Sequence, residues 1–231
     1  MRVEHLAIDG SVVSIEAEAD LTSKATAAGW AIVPALMQSH PFTLYPPGHS
    51  AVMEESARAI PGIEVLSTEE YSLKGGTLRV GEIQLPGATG GEYQLTVAAW
   101  EGASGCLHTS IIGANRSLLV EVFDTLRFSE RGRGLAVDSP VVAQPRAPEV
   151  IKEVPELGIL RIRPAVANEL ERVPKNRGFV ADHGELFRLS EASRDLLFVS
   201  TSTVVAVKPR SRTQTADFLD AARRMKIEWT P

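Results

Sequence analysis

Cys106 and His108 lie two positions apart and could supply a thiol and an imidazole to one site. If they belong to a β-strand, alternation places both side chains on the same face. Such a pair is half of a metal site, or a Cys/His pair of the kind used in nucleophilic catalysis. Because two ligands cannot complete a four-coordinate site, we predict that no metal binds here.

Asp182-His183-Gly184-Glu185 is the second stretch with acid, base or metal-binding groups, and a polar hairpin tip is the favoured explanation for it. The sequence contains no H-E-x-x-H motif, no G-x-S-x-G elbow, no Walker A loop and no dinucleotide-binding glycine pattern. The sequence therefore predicts a protein without catalytic residues, cofactor or metal. The alternative is an enzyme with a site near Cys106 and His108 or near His183.

Three cations, Lys208, Arg210 and Arg212, come just before the last predicted helix, Thr215–Lys226. The N-terminus of a helix attracts anions, so these residues could bind a phosphate or a carboxylate of a partner. A solvated turn explains the same residues. We include all three among the candidate partner-binding residues.

The segment Ser39–Ser50 is predicted to be a loop, because its prolines lack a backbone donor for a strand ladder. The loop nevertheless carries Phe42, Leu44 and Tyr45. Apolar side chains on such a loop either pack onto the core or are offered to a partner. We include these three residues among the candidate partner-binding residues.

The most regular part of the chain lies between Glu92 and Phe128. Glu92–Trp100 alternates as a half-buried strand does, a glycine-containing turn follows, and Leu107–Ile112 is the return strand. Asn115 is a suitable N-cap for a helix that follows. The apolar residues of this helix recur at helical spacing: Leu118, Leu119, Val122, Phe123 and Leu126.

The segments EYQLTVAAWEG and LLVEVFDTLRF, with the return strand between them, resemble the last part of the Mog1/PsbP-like fold. In that family the final helix covers one face of an antiparallel sheet. The chain then closes on a short aromatic and hydrophobic pattern, matched here by Phe123, Leu126 and Phe128. The resemblance covers residues 1–130. It implies a helix-covered sheet and a non-catalytic protein that acts by binding other proteins.

Prolines and glycines become frequent after Phe128, which is typical of an extended connector. We predict a Mog1/PsbP-like domain at 1–130, a Pro-rich connector at 131–156 and a small α+β domain at 157–231. The predicted fold class is α+β, an antiparallel sheet covered by helices and followed by a smaller α+β C-terminal part.

Four shorter segments complete this prediction. Asp9-Gly10 lies between two alternating runs and predicts a hairpin. Asp20–Ala28 is predicted to be a short helix with Asp20 as its cap. Lys175-Asn176-Arg177-Gly178 is a basic turn, and Phe179–Leu189 is predicted to form a hairpin about His183-Gly184.

The composition is that of an ordinary globular protein, with 44% hydrophobic and 23% charged residues. A single cysteine excludes an internal disulfide and suits a reducing compartment. The beginning of the chain lacks the apolar core of a signal peptide, and no apolar run is long enough to span a bilayer. We therefore expect a cytoplasmic protein.

The charge is unevenly distributed. Residues 1–150 carry 10 basic and 18 acidic side chains, whereas residues 151–231 carry 14 and 11. The acidic total disfavours a nucleic-acid partner. Chance explains the asymmetry, as does attraction between the two halves or between copies of the chain.

Together these patterns favour a cytoplasmic, non-catalytic protein-binding module: an adaptor, a chaperone-like protein or an assembly subunit. The expected partner is another protein or further copies of the chain itself. The alternatives are a structural subunit of a phage-like or secretion particle and the enzyme described above.

Overall fold

The computed structural model describes residues 1–87, 90–131, 134–138, 147–189, 195–210 and 216–231. Strands account for 53% of the structure and helices for 15%. The predicted fold class, an α+β sheet covered by helices with a smaller α+β part after it, is therefore wrong. The protein is mainly β, with a large antiparallel sheet and few, short helices.

The strands and helices have the following bounds. The strands are, in chain order, β1 (Arg2–Leu6), β2 (Val12–Glu16), β3 (Ala25–Val33), β4 (Gln38–Tyr45), β5 (Glu64–Leu73), β6 (Gly76–Pro86), β7 (Glu92–Glu101), β8 (Cys106–Ile112), β9 (Arg127–Arg131), β10 (Gly134–Asp138), β11 (Glu149–Val154), β12 (Gly158–Pro164), β13 (Phe179–Ala181), β14 (Gly184–Arg188), β15 (Leu196–Val199), β16 (Thr203–Lys208) and β17 (Lys226–Thr230). The helices are α1 (Val52–Arg58), α2 (Arg116–Thr125), α3 (Ala167–Leu170) and α4 (Ala216–Arg224), with a 3-10 turn at Pro34–Leu36.

Twelve of these strands form one sheet, in the order β13-β14-β15-β16-β12-β11-β3-β4-β8-β7-β6-β5. A second sheet has the order β1-β2-β17, and β9 pairs with β10. The strand pairs β1–β2, β5–β6 and β13–β14 are antiparallel hairpins. The Asp9-Gly10 hairpin is confirmed, with Gly10 at a φ of 89° that favours glycine.

The chain divides into two compact units. The first unit contains Met1–Gly29 and Arg146–Pro231, and the second contains Trp30–Pro145. These bounds differ from the predicted domains 1–130 and 157–231, which stay a prediction. The predicted connector 131–156 includes strands β10 and β11, and its residues 139–146 lie outside the described residues.

In the second unit, α2 begins after Asn115, whose side chain accepts a hydrogen bond from the N–H of Leu118 at 2.9 Å. The helix packs against β6 and β7 and buries Leu119, Val122 and Phe123. The ring of Phe123 meets that of Phe42 edge to face, with centroids 6.2 Å apart. This helix and its cap are where the sequence predicted them.

Helix α1 packs on β5 and β6 of the same unit, and its buried Ala57 joins a core with Ile83 and Val97. It also carries Glu54, which is only 2% exposed although it is ionisable. The carboxylate of Glu54 accepts hydrogen bonds from Arg79 on β6 at 2.7 and 2.9 Å.

Gly81, two residues after Arg79 on β6, leaves room for this ion pair because it has no side chain. A Cβ atom at Gly81 would lie 2.6 Å from Oε1 of Glu54. The absence of a side chain there lets the carboxylate of Glu54 approach the strand and reach Arg79.

Two other predicted segments are wrong. Residues 38–45 form strand β4 instead of a loop, and β3 occupies much of the predicted helix Asp20–Ala28. The carboxylate of Asp20 accepts from the N–H of Thr22, which makes a local turn before the strand. In β3 every second residue from Ala27 to Val33 is buried, the alternation of a strand.

No helix in the described part of the chain has the length and apolar composition needed to cross a membrane.

Candidate functional site

Strand β8 places the thiol of Cys106 and the imidazole of His108 on one face, as the sequence predicted. Their Sγ and Nε2 atoms are 3.2 Å apart, and both residues are buried. The ring of Tyr45 on β4 packs edge-on against that of His108, with centroids 4.8 Å apart, and stacks on His49. No pattern in the sequence indicated that Tyr45 would join this pair.

Burial keeps both members of the pair neutral at pH 7. It raises the pKa of the Cys106 thiol to about 12 and lowers the pKa of His108 to about 4. A nucleophilic cysteine needs a lowered thiol pKa and a base that can take its proton. The pair therefore has the electrostatics of a buried structural contact, and Nδ1 of His108 has no hydrogen-bond partner in the described structure.

The structure gives the other predicted chemical groups no shared site. His183 and its neighbours Asp182 and Glu185 are exposed at the β13–β14 hairpin. Within the described ranges, no three His, Cys, Asp or Glu side chains are placed to hold a metal ion.

The candidate partner-binding residues of β4 lie mostly in the core. Phe42 is 2% exposed and Leu44 is 7% exposed, while Tyr45 is half-buried against His108. We therefore place no partner contact on Phe42 or Leu44, and the predicted binding role of Tyr45 stays a prediction.

Of the three candidate cations, the structure describes Lys208 and Arg210. Lys208 is exposed at the end of β16, and Arg210 pairs with Glu153, donating from Nε at 2.7 Å. Arg212 lies outside the described residues, as do residues 211–215 before α4. Their role in partner binding stays a prediction.

A different feature of the first unit has the chemistry of a binding surface. A row of directly opposed apolar residues crosses one face of its sheet, and all but the last of them are at most 3% exposed. From the interior to the edge, this row consists of Val150, Ile162, Val205, Phe198, Leu186 and Phe179.

The row ends at the edge strand β13, where its last member is open to solvent. Phe179 is 61% exposed, and its neighbour Val180, on the opposite face, is 70% exposed. In the described part of the chain, the backbone of Phe179–Ala181 makes hydrogen bonds only in the ladder with β14. The strand therefore presents the backbone groups of Val180, unpaired in the described structure, together with two large apolar side chains. The N–H of the next residue, Asp182, donates to the carbonyl of Arg223 on α4 at 3.0 Å.

Two other strand edges in the described structure are covered or carry charges. In β17 of the same unit, the N–H of Trp229 donates to Ser202 Oγ at 3.1 Å, and Thr203 Oγ1 donates to the carbonyl of Ile227 at 3.3 Å. Strand β5 of the second unit carries exposed Glu64, Glu69 and Glu70 and an irregularity near Val65. Charges and bulges of this kind discourage strand pairing. The three residues of β13 include no charge and no bulge, although helix α4 contacts the strand.

Opposite charges flank β13 on its two sides. Lys175 and Arg177 precede the strand and Asp182 follows it, whereas Glu185 lies on β14 directly opposite Val180. All four side chains are exposed, and none of them forms an ion pair within the described structure. The strand is thus basic at its beginning and acidic at its end.

The sequence predicted the hairpin but not that β13 is an edge strand with exposed apolar side chains. A strand inside a hairpin usually has neighbours on both sides, and only the topology shows that β13 ends the sheet. Two apolar residues, Phe179 and Val180, between a basic and an acidic turn were the available signal.

The chain matches no protein-family model, no curated protein and no solved structure. The resemblance of residues 1–130 to the Mog1/PsbP-like fold therefore stays a prediction.

Proposed function

We propose that the chain is a non-catalytic, cytoplasmic protein-binding module that accepts an extended protein segment as an added strand on β13. The observation that carries this proposal is the buried apolar row that ends in exposed Phe179 on an unpaired strand edge. An adaptor, a chaperone-like protein and an assembly subunit all use such a surface.

An added strand would pair with the free backbone groups of β13 and would cover its exposed apolar side chains. The backbone of the incoming segment supplies hydrogen-bond partners for β13. The side chains of that segment make the contacts by which it is selected. An apolar side chain opposite Phe179 extends the row by one strand and removes apolar area from water. Strand addition then gives affinity through the backbone and selectivity through the residue that faces Phe179.

The cytoplasmic location is supported by cysteine usage. The only cysteine of the chain, Cys106, is buried, and its raised pKa keeps it a thiol. A lone reduced cysteine suits a reducing compartment. The enzyme alternative has weaker support, because the neutral Cys106–His108 pair lacks an activated nucleophile.

The proposal predicts that Phe179→Asp weakens binding of an extended peptide about tenfold or more, since a charge replaces the apolar contact at the centre of the interface. The probe is a fluorescein-labelled Lys-Val-Thr-Val-Thr-Val-Glu peptide. Its basic start and acidic end complement β13 in the antiparallel direction. Fluorescence anisotropy gives its Kd.

Two controls distinguish strand addition from nonspecific hydrophobic binding. A peptide with proline at both threonines lacks the ladder donors that face β13 when the valines lie on the face of Phe179, and it should bind at least tenfold more weakly. Leu66→Asp on β5 removes an equally large exposed apolar residue (45% exposed) and should leave the Kd unchanged. Equal affinity for the proline peptide, or equal binding by Phe179→Asp, would contradict the proposal.

A further inference from the structure

Glu185 is an exposed carboxylate on the face of the sheet opposite to the one that carries Phe179. In the strand ladder it lies directly across from Val180 of β13 on one side and from Val199 of β15 on the other. Its next neighbour along β14 on this face is the apolar Phe187. Glu185 forms no ion pair in the described structure. A negative charge therefore lies among apolar side chains, one strand in from the open edge.

The hairpin turn determines which backbone groups of β13 face an incoming strand. The loop between β13 and β14 is Asp182-His183, so the residues that close it, Ala181 and Gly184, form a hydrogen-bonded pair. The next pair, Val180 and Glu185, is then non-hydrogen-bonded, and the N–H and C=O of Val180 point outward. The residue of an added antiparallel strand that pairs with Val180 therefore lies on the same face as Glu185.

Helix α4 contacts β13 but leaves Val180 open. The hydrogen bond from the N–H of Asp182 to the carbonyl of Arg223 begins after the strand. Val180 itself is 70% exposed, and its backbone groups have no other partner in the described structure. The position opposite Val180 is therefore accessible to an incoming side chain.

A lysine or arginine at this position can reach Glu185. Paired Cα atoms in an antiparallel ladder are about 5.5 or 4.5 Å apart, so the incoming residue and Glu185 are separated by about 10 Å, with Val180 between them. An extended lysine or arginine spans this gap together with the glutamate side chain, and its apolar stem covers the exposed methyl groups of Val180. Glu185 repels an acidic residue at the same position, and an apolar residue leaves the carboxylate without a partner.

We infer that the segment accepted by β13 carries a lysine or arginine opposite Val180, between two apolar residues on the face of Phe179; this inference rests on the function proposed above. The basic side chain pairs with the carboxylate of Glu185. Backbone pairing gives affinity that does not depend on the sequence of the segment. The contacts at Phe179 and Glu185 then distinguish an apolar-basic-apolar segment from other extended segments.

The test varies the third residue of the Lys-Val-Thr-Val-Thr-Val-Glu peptide. When the first lysine lies opposite Asp182 in the antiparallel direction, the third residue lies opposite Val180 and the fourth, a valine, lies opposite Phe179. With lysine at the third position the peptide should bind about threefold more tightly than with threonine, and with glutamate about threefold more weakly, as for an exposed ion pair. Fluorescence anisotropy gives the three Kd values.

Variants at Glu185 identify the group that recognises the lysine. In Glu185→Lys the order of the three peptides should reverse, and in Glu185→Gln their Kd values should become equal. Glu185→Gln keeps the size of the side chain, so it decides the matter if the charge reversal disturbs the hairpin. Circular dichroism checks the fold of each variant, and added salt should reduce the wild-type preference because exposed charges are screened.

Glu156→Lys provides the matched control. It makes the same change in net charge at an exposed glutamate in the turn between β11 and β12. This variant should keep the wild-type preference for the lysine peptide. Loss of the preference in Glu156→Lys would show that overall charge selects the peptide, which overturns the role of Glu185.

The remaining outcomes separate the partner from the function. Equal binding of the three peptides by the wild-type chain overturns the basic partner and leaves strand addition standing. A lysine preference that both Glu185 variants retain also overturns the inference, because another group then recognises the charge. A chain that binds none of the peptides overturns both the inference and the proposed function.

Discussion

Acidification from pH 6.5 to pH 4 is expected to lower the free energy of unfolding by about 3 kcal/mol through His108 alone, since each pKa unit corresponds to about 1.4 kcal/mol. Burial lowers the pKa of His108 from 6.5 to about 4 in the folded chain. The unfolded chain therefore takes up this proton first as the pH falls, and protons favour unfolding throughout that range.

His5 adds to this effect in the same direction. Burial, with a smaller contribution from the nearby Lys152 ammonium, lowers its pKa to about 4. The carboxylates with lowered pKa values, including Glu82 and Glu101, lose their stabilising contribution only as the pH falls below about 4.5. Between pH 6.5 and pH 5, the change in the free energy of unfolding is therefore due mainly to the histidines.

Urea unfolding followed by tryptophan fluorescence between pH 7.5 and pH 4.5 measures the effect. His108→Phe keeps an aromatic ring against Tyr45 but cannot be protonated, so its stability should depend less steeply on pH. His183→Gln changes an exposed histidine and should keep the wild-type slope. A wild-type stability that is flat from pH 6.5 to 5 would show that His108 is not held neutral by burial.

Glu54→Ala is expected to destabilise the second unit by about 3 kcal/mol, because it leaves the guanidinium of Arg79 without its buried partner. Arg79 is mostly buried, and its Nε and Nη2 both donate to Glu54. Its remaining partner, Glu70, accepts from Nη1 at 2.8 Å but is 59% exposed. An exposed carboxylate cannot replace the buried one.

Glu70→Ala provides the matched comparison, because it removes the other carboxylate from the same guanidinium. Its cost should stay below about 1 kcal/mol, as for other exposed pairs. The double variant Glu54→Leu with Arg79→Leu removes both buried charges and should recover much of the loss. Equal costs for Glu54→Ala and Glu70→Ala would mean that burial does not strengthen the Glu54 pair.

The sequence correctly predicted those elements that depend on residues close together in the chain. The Asp9-Gly10 turn, the Asn115 cap and the spacing of Leu119, Val122 and Phe123 each act within a few residues, and each was found where expected. Strand β3 could not be found in this way. Its small residues such as Ala27 and Ala31 suit a helix equally well, and pairing with β11 decides the outcome.

In the candidate site, too, local patterns were predictable from the sequence and long-range strand pairing was not. The hairpin containing Phe179 and the shared face of Cys106 and His108 were predictable from alternation. That Phe42 is in the core, and that β13 lies at the end of the sheet, depend on long-range pairing. The fold class was wrong for this reason, since several strands pair with partners that are distant in sequence.

Hydrogen exchange at the amides of Phe179–Ala181 is the measurement that tests strand addition most directly. In the free monomer the amides of Phe179 and Ala181 pair with β14, whereas the amide of Val180 points away from β14 and gains a strand partner only when a strand is added. The proposal predicts slower exchange in β13 when the alternating peptide is added, and no slowing with its proline counterpart. Unchanged exchange in β13 at a peptide concentration that saturates binding would contradict it.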